Sequence, residues 1–463
     1  MTQIESRPRR TGPESAVGLQ KHKRTATDIA LALITPLVGQ EVLDRYGLRD
    51  PLNKGIRYGV KTAFSAAGAT TRQFKRIQNL GGGSPTRLAP RPSDYFDLTP
   101  DDDQKMIVET VSEFADEILR PAAYDADAAA SYPADLIAKA AEIGVTALNI
   151  PENFDGIAEH RSTVTGALVA EALAYGDMGL ALPILAPAGV AAALTHWGSA
   201  EQQGTYLPEF AGENVPQASV LIAEPHALFD PTALKTTAVR TPGGYRLSGV
   251  KSLVPAAGAA ELFIVAAQLN GKPALFVVEA SSEGLTVEAD PSMGVRGAAL
   301  GKVALDNVAV PLHNRLGEQD RSDQDYAQDF SEAIAYSRLG WAALAVGTSH
   351  AVLDYVMPYI KEREAFGEPI ANRQAVAFMT ANMAIELDGL RLITLRGASR
   401  AEQGLTFARE AALAKRIAAD KGMQIGLDGV QLLGGHGYTK EHPVERWYRD
   451  LRVLGVAEGV VVL

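Results

Sequence analysis

Gln431-Leu-Leu-Gly-Gly-His-Gly-Tyr438, leading through Glu445-Arg-Trp-Tyr-Arg-Asp450 to Ala457-Glu458-Gly459, is the stretch on which the reading of this chain turns. Each part has a plain meaning when taken alone. Gly434-Gly435 ends a helix, or lets backbone amides approach a ligand with no Cβ in the way. Glu458 is a surface glutamate beside a flexible glycine, or, flanked by Val456, Ala457, Val460 and Val461, a carboxylate in the apolar surroundings that suit a general base. Upstream, Arg363-Glu-Ala-Phe366-Gly367-Glu-Pro369-Ile370 with Gln374 beyond it reads either as a helix end with ordinary surface charges or as a phosphate contact. In the second case Arg363 offers the guanidinium fork.

Composition narrows the classes. With 463 residues and 46% hydrophobic content, the chain has material for a sizeable core split among two or three domains. No cysteine is present, so disulfides, thiolate nucleophiles and thiolate-bound metals are excluded, and a reducing, cytoplasmic setting is expected. Residues 1 to 92 hold 16 Lys and Arg against 6 Asp and Glu, whereas the remainder holds 28 against 49. A basic arm on an acidic body is expected to be solvated or self-docked, and is open to peripheral contact with an anionic membrane or a partner. The net charge of -11 argues against nucleic acid as partner. The apolar run from Ile29 to Val38 is short and broken by Thr35-Pro36, so it reads as neither a membrane span nor a secretory signal.

Punctuation and periodicity then divide the chain. A basic helical extension is expected over 1–80 and a Gly/Pro-rich linker over 81–97. A helical domain follows over 98–216, opening with Thr99 as cap and Pro100 at the first helical position. Gly144 and Gly176 stand as later helix stops. Short apolar runs such as Glu261–Val265 and Ala274–Val278, separated by Gly, Pro and Asn, make 217–320 a β-domain. Helical spacing returns over 321–463, with Leu353, Val356, Met357 and Ile360 on one face and Val376, Met379, Met383, Leu387 and Leu390 on another. His436 and His442 share no ligand spacing on a helix face, so no metal site is expected and both read as loop residues.

The two C-terminal blocks together, in a chain ordered helices, strands, helices, resemble the acyl-CoA dehydrogenase family from about Leu98 onward. The resemblance implies an N-terminal helical domain, a middle β-barrel domain and a C-terminal four-helix bundle, so the fold is mainly α with a central β-domain. It implies α,β-dehydrogenation of an acyl-CoA thioester by FAD, in lipid or fatty acid metabolism. Glu458 would take the α-proton, and its backbone N–H would be one oxyanion donor. Arg363, Phe366, Gln374, Gln431, Gly434 and Gly435 would hold the cofactor across a subunit boundary. Arg338, in Tyr336-Ser-Arg338-Leu-Gly, would lie near the substrate channel or simply be a helix-surface charge. A homotetramer or heterotetramer follows, with an electron-transfer flavoprotein as acceptor.

The flavin-side segments depart from that pattern. Ala223-Glu224-Pro225 keeps the Glu-Pro pair but lacks the Gly-Ser-Asp expected after it. The expected Trp-Ile-Thr-Asn segment is Leu253-Val254-Pro255-Ala256, and Val460 stands for the threonine after Glu-Gly. Five residues follow Glu458, where the family runs on into another helix. A non-catalytic partner subunit of a heteromeric enzyme and an acyl-CoA oxidase therefore stand as alternatives.

Overall fold

The structure is a computed structural model that describes residues 98–463 other than 159, 160 and 213. The expected basic extension, its linker and the run from Ile29 to Val38 lie outside the described residues.

Helix α1 (Asp102–Phe114) starts two residues later than the Thr99 reading expects. Asp101 is the cap: its Oδ1 accepts from Gln104 N at 2.8 Å while Gln104 Oε1 accepts from Asp101 N at 3.1 Å. Only this register places a Gln three residues past the cap and satisfies two end amides reciprocally, whereas Thr99 would face Asp102 there. A π-turn leads into α2 (Arg120–Ala129), and α3 (Leu136–Glu142) ends ahead of Gly144, which takes φ +80° as a helix stop requires.

Gly176 does not end its helix in the left-handed region. It is the last residue of α4 (Thr163–Gly176), and Asp177 follows in extended conformation. Asp177 also caps α5 (Met178–Trp197), accepting from Leu180 N at 3.0 Å. Gly176 is needed for contact instead of φ, because a Cβ there would lie 2.8 Å from Ala115 O. Helix α5 is apolar on every face because it is the core helix, and α6 (Ala200–Ala211) closes the helical part.

Seven strands form one open sheet: β1 (Ala218–Leu221), β2 (Thr237–Thr241), β3 (Gly244–Val254), β4 (Leu262–Leu269), β5 (Lys272–Glu279), β6 (Leu285–Ala289) and β7 (Gly301–Pro311). The path runs β1-β4-β2-β3-β7-β6, with β5 on the other edge of β4, so the expected middle β-domain is present in half-barrel form. Asn270-Gly271 joins β4 to β5 with both φ positive, the turn that matches strand twist. Along β4, Ile264 and Ala266 enter the large helical core while Phe263, Val265 and Ala267 enter the smaller core on the opposite face.

Helix α7 (Asp323–Glu362) is 40 residues long and organises the rest. It crosses α4 closely at Gly347, where a Cβ would lie 2.0 Å from Glu171 O. A two-residue hairpin, β8 (Glu364–Ala365) and β9 (Glu368–Pro369), turns the chain into α8 (Gln374–Glu402). Helices α9 (Ala408–Ile417), α10 (Met423–Leu433) and α11 (Val444–Asp450) complete the bundle. Val356, Ile360, Met383, Leu387 and Leu390 are buried as their spacing predicts.

Candidate active site

Glu458 is fixed by the residue after it. Gly459 adopts φ +83° and bridges to Leu221 of β1, and a Cβ on it would lie 3.0 Å from Ile222 Cβ, so only glycine passes. Its carbonyl accepts from Ser337 Oγ at 2.7 Å and Trp341 Nε1 at 2.9 Å, both on α7. One helical turn of α7 thereby holds the loop from beneath while β1 holds its edge.

On that turn, Arg338 meets the carboxylate. Nη2 donates to Glu458 Oε1 at 2.9 Å, and Nε donates to the same oxygen at 3.1 Å. The Glu458 side chain is 12% exposed. The apolar surround expected from its sequence neighbours is therefore corrected: those neighbours point elsewhere, and the carboxylate faces a guanidinium delivered from 120 residues away. Arg338 is not a mere surface charge.

Lys415 of α9, which sequence reasoning did not single out, lies on the same loop. Its Nζ donates to Ala457 O and sits 5.4 Å from the Trp341 ring centroid. Burial pushes the ammonium down to about 8, against an upward pull from Glu458. The signal available was weak, a lysine beside the buried Ala411, Ala414 and Ala418 in an otherwise polar helix.

The retained Glu224-Pro225 pair is structural. Glu224 accepts from Lys235 N at 2.8 Å, Thr236 N at 2.9 Å, Thr236 Oγ1 at 2.7 Å and Lys251 Nζ at 2.9 Å. Burial alone would raise the carboxyl, but Lys251 and these donors outweigh it and hold Glu224 below the usual range. Lys251, fully buried, is itself pushed down to about 8 by desolvation. Nearby, Leu253 takes φ +55° and donates its N–H to Asp290 Oδ2 at 3.0 Å, while Pro255 is buried and has no N–H to give.

The six residues expected to hold a cofactor collect elsewhere. Phe366 and Gly367 form the tip of the β8–β9 hairpin, both with positive φ, and Phe366 is 96% exposed. Arg363 is exposed at the end of α7, and Gln374 is exposed at the start of α8. Gln431, Gly434 and Gly435 are exposed at the end of α10, which Tyr359 OH ties to α7 by donating to Leu433 O at 3.4 Å. A Cβ on either glycine would meet nothing within 4 Å. At about 1.5 Å per residue, Arg363 lies roughly 37 Å along α7 from Arg338. The structure thus brings Glu458 and Arg338 together and sets the cofactor group apart from them. His442 is also not a plain loop residue, since its Nδ1 pairs with Tyr355 OH at 2.7 Å. Among the described residues no group of three or more His, Asp or Glu is placed to hold a metal.

A helical domain, a half-barrel and a helical bundle thus meet at the largely enclosed Glu458 carboxylate on its glycine loop, a three-domain architecture. Family models match in the same order: acyl-CoA dehydrogenase N-terminal domain over residues 101–214, middle domain over 219–308 and C-terminal domain over 328–461. The acyl-CoA dehydrogenase of Bacillus subtilis (strain 168) is 31% identical over 367 residues, covering 77% of this chain and 94% of that one. Solved butyryl-CoA dehydrogenase from Megasphaera elsdenii superposes with TM-score 0.71 at 27% identity, covering 78% of this chain and 95% of the other. A chain in the solved structure of an electron transferring flavoprotein of Acidaminococcus fermentans gives TM-score 0.71 at 29% identity, with coverage of 78% and 95%. The chain belongs to the acyl-CoA dehydrogenase family, oxidoreductases that act on a CH–CH bond.

Proposed function

We propose that this chain dehydrogenates an acyl-CoA thioester to the 2,3-enoyl-CoA, with Glu458 as the base for the α-proton and FAD, the cofactor of its family, as hydride acceptor. The observation that carries the reading is the immobilised Glu458 carboxylate, held through the Gly459 carbonyl by two donors of α7 and gripped by Arg338. A general base acts only when held within reach of its proton, and this loop cannot drift without breaking three hydrogen bonds. Glu458 removes the α-proton. Its backbone N–H is a donor for the thioester oxygen, where stabilisation of developing charge contributes most.

The adenosine diphosphate end of the cofactor suits the exposed group. Arg363 offers paired donors to phosphate, Phe366 an exposed ring with the Arg373 guanidinium 5.6 Å from its centroid, and Gly434-Gly435 backbone unobstructed by Cβ. Because this group is far from Glu458 along α7, the site is shared between copies. Phe378, Ile385 and Leu392 of α8, 61, 67 and 59% exposed and seven residues apart, form an apolar stripe that a second copy would cover. An electron-transfer flavoprotein is the proposed acceptor, and the absence of cysteine suits a cytoplasmic setting.

Purified protein tests the reading: it should be yellow, and acyl-CoA should bleach it without oxygen. Arg363→Glu is expected to weaken FAD binding at least tenfold, as loss of a charge-assisted phosphate contact worth about 1.5–3 kcal/mol predicts, with circular dichroism unchanged. FAD titration of the apoprotein measures it, and unchanged affinity removes Arg363 from the site.

One observation favours a second reading. Leu253, Pro255 and Val460 offer no side-chain donor to a flavin ring. A colourless chain that associates with a flavin-bearing relative would make it the degenerate partner of a heteromeric enzyme.

A further inference from the structure

We infer that Lys415 is a positioning residue for the thioester: by donating to Ala457 O it polarises and fixes the peptide group whose other end is the Glu458 N–H, and so strengthens the donor assigned to the thioester oxygen. This rests on the dehydrogenase reading above and adds a residue to its machinery.

Ala457 C=O and Glu458 N–H belong to one planar peptide group, conjugated from oxygen to nitrogen. A hydrogen bond to that oxygen, above all one from a charged donor, draws electron density off the nitrogen and makes its N–H a better donor. Lys415 Nζ makes this bond, and it pairs with no carboxylate among the described residues. Desolvation lowers the ammonium to about 8, with Glu458 pulling it up and Arg338 pushing it down, which leaves it charged at pH 7.

The donor at the other end of the group is uncommitted. The amides of Val456 and Ala457 donate to Val453 O, that of Val460 to Val220 O and that of Val461 to Gly459 O, whereas the Glu458 N–H donates to no group among the described residues. Its position is fixed all the same, because the carbonyl on each side is held: Ala457 O by Lys415 from α9, Gly459 O by Ser337 and Trp341 from α7. The Lys415 ammonium lies 5.4 Å from the Trp341 ring centroid, so one indole supports both clamps. Ser337 and Trp341 polarise a different peptide group, the one ending in the Val460 N–H, and that N–H is already given to Val220 O. Of these side-chain donors, Lys415 alone acts on the group whose N–H is left for a ligand.

Lys415→Met removes the charge and keeps the aliphatic stem, while Lys415→Arg keeps the charge. Flavin reduction by butyryl-CoA should slow about tenfold in Lys415→Met, a fraction of the roughly 10²–10³ that outright loss of an oxyanion donor costs, and recover most of its rate in Lys415→Arg. A spectroscopic readout separates polarisation from loop support. In a Glu458→Gln background, which retains the N–H and holds butyryl-CoA unreacted, the infrared stretch of the bound thioester carbonyl should lie below its value in water and move back toward it when Lys415→Met is added. Calorimetric affinity for S-butyl-CoA, a thioether with no carbonyl oxygen, should stay the same, whereas a loop that had merely loosened would weaken it too. Should Lys415→Met not fold, Lys415→Gln replaces it with the same expected directions. An unmoved carbonyl stretch overturns the inference, as does an unchanged rate or an equal loss of thioether affinity. A wild type that neither binds thioesters nor bleaches overturns the dehydrogenase reading and this inference with it, a result distinct from bleaching that is indifferent to Lys415.

Discussion

Glu458→Gln is expected to yield a protein that keeps its FAD and its fold but whose flavin is bleached by acyl-CoA about a thousandfold more slowly. General acid–base catalysis contributes roughly 10²–10⁴, and glutamine cannot accept the α-proton. Retention of the fold is argued from the loop: the anchors are the Gly459 carbonyl and the Val460 amide, neither of which the substitution touches. Glutamine's oxygen still accepts from Arg338, so the guanidinium keeps a partner. Stopped-flow reduction measures the rate and the visible spectrum measures bound flavin. Bleaching at the wild-type rate would remove Glu458 from the chemistry.

The second large effect concerns stability. Asp177→Ala is expected to cost about 3–5 kcal/mol, read as a shift in the denaturant midpoint, because it leaves a buried guanidinium without its carboxylate. Asp177 Oδ2 accepts from Arg446 Nε at 3.0 Å, with side chains 3 and 9% exposed, while Oδ1 caps α5. The substitution would thus free a charge on α11 and uncap the core helix together. Replacing both partners, Asp177→Asn with Arg446→Met, should cost less than Asp177→Ala alone, since the cap survives and no charge is stranded. A double variant as unstable as the single one would show that the pair is not the source.

The same cluster carries a pH dependence. Asp450 accepts from Val295 N at 2.5 Å in a fully buried site, and desolvation, together with the nearby Asp177, pushes its carboxyl up to about 8. A carboxyl raised in the folded state binds more protons there than in the unfolded chain, so stability falls as pH climbs from about 4 to about 8. Asp450→Asn should flatten that slope, with a gain on the order of a few kcal/mol at pH 8 and little at pH 4. Parallel denaturation curves for both proteins at the two pH values measure it, and equal slopes would refute the assignment.

The succession of helices, strands and helices was legible because its signals are local: Asn270-Gly271 between apolar runs, Gly144 behind a helix, and stripes ending in Ile360 and Leu390. Where the reading slipped, a local rule met a second local rule. Asp101 with Gln104 outcompeted Thr99, and Asp177 took over the junction assigned to Gly176. Glu458 was legible as a candidate through its surrounding motif, yet its environment was not. Sequence neighbours suggested an apolar shell, whereas the shell is built by Ser337, Arg338 and Trp341 from one turn of a distant helix and by Lys415 from another. Side chains that converge from more than forty residues away leave no periodic trace. Val460–Leu463 likewise reads only as a short apolar run, and nothing in it announces Gly189 and Gly340, where a Cβ would meet it at 2.4 and 2.5 Å.

Helix α7 holds the Glu458 loop near its middle, through Ser337, Arg338 and Trp341, and leads into Arg363 at its end. On the proposed reading each chain therefore borrows the grip it needs and lends its own in return. Such an exchange closes most simply about a two-fold axis, where what one copy gives is what the other returns. Colour then becomes a gauge of assembly: dilution far enough to separate the copies would drain the yellow from solution even though every chain stayed folded.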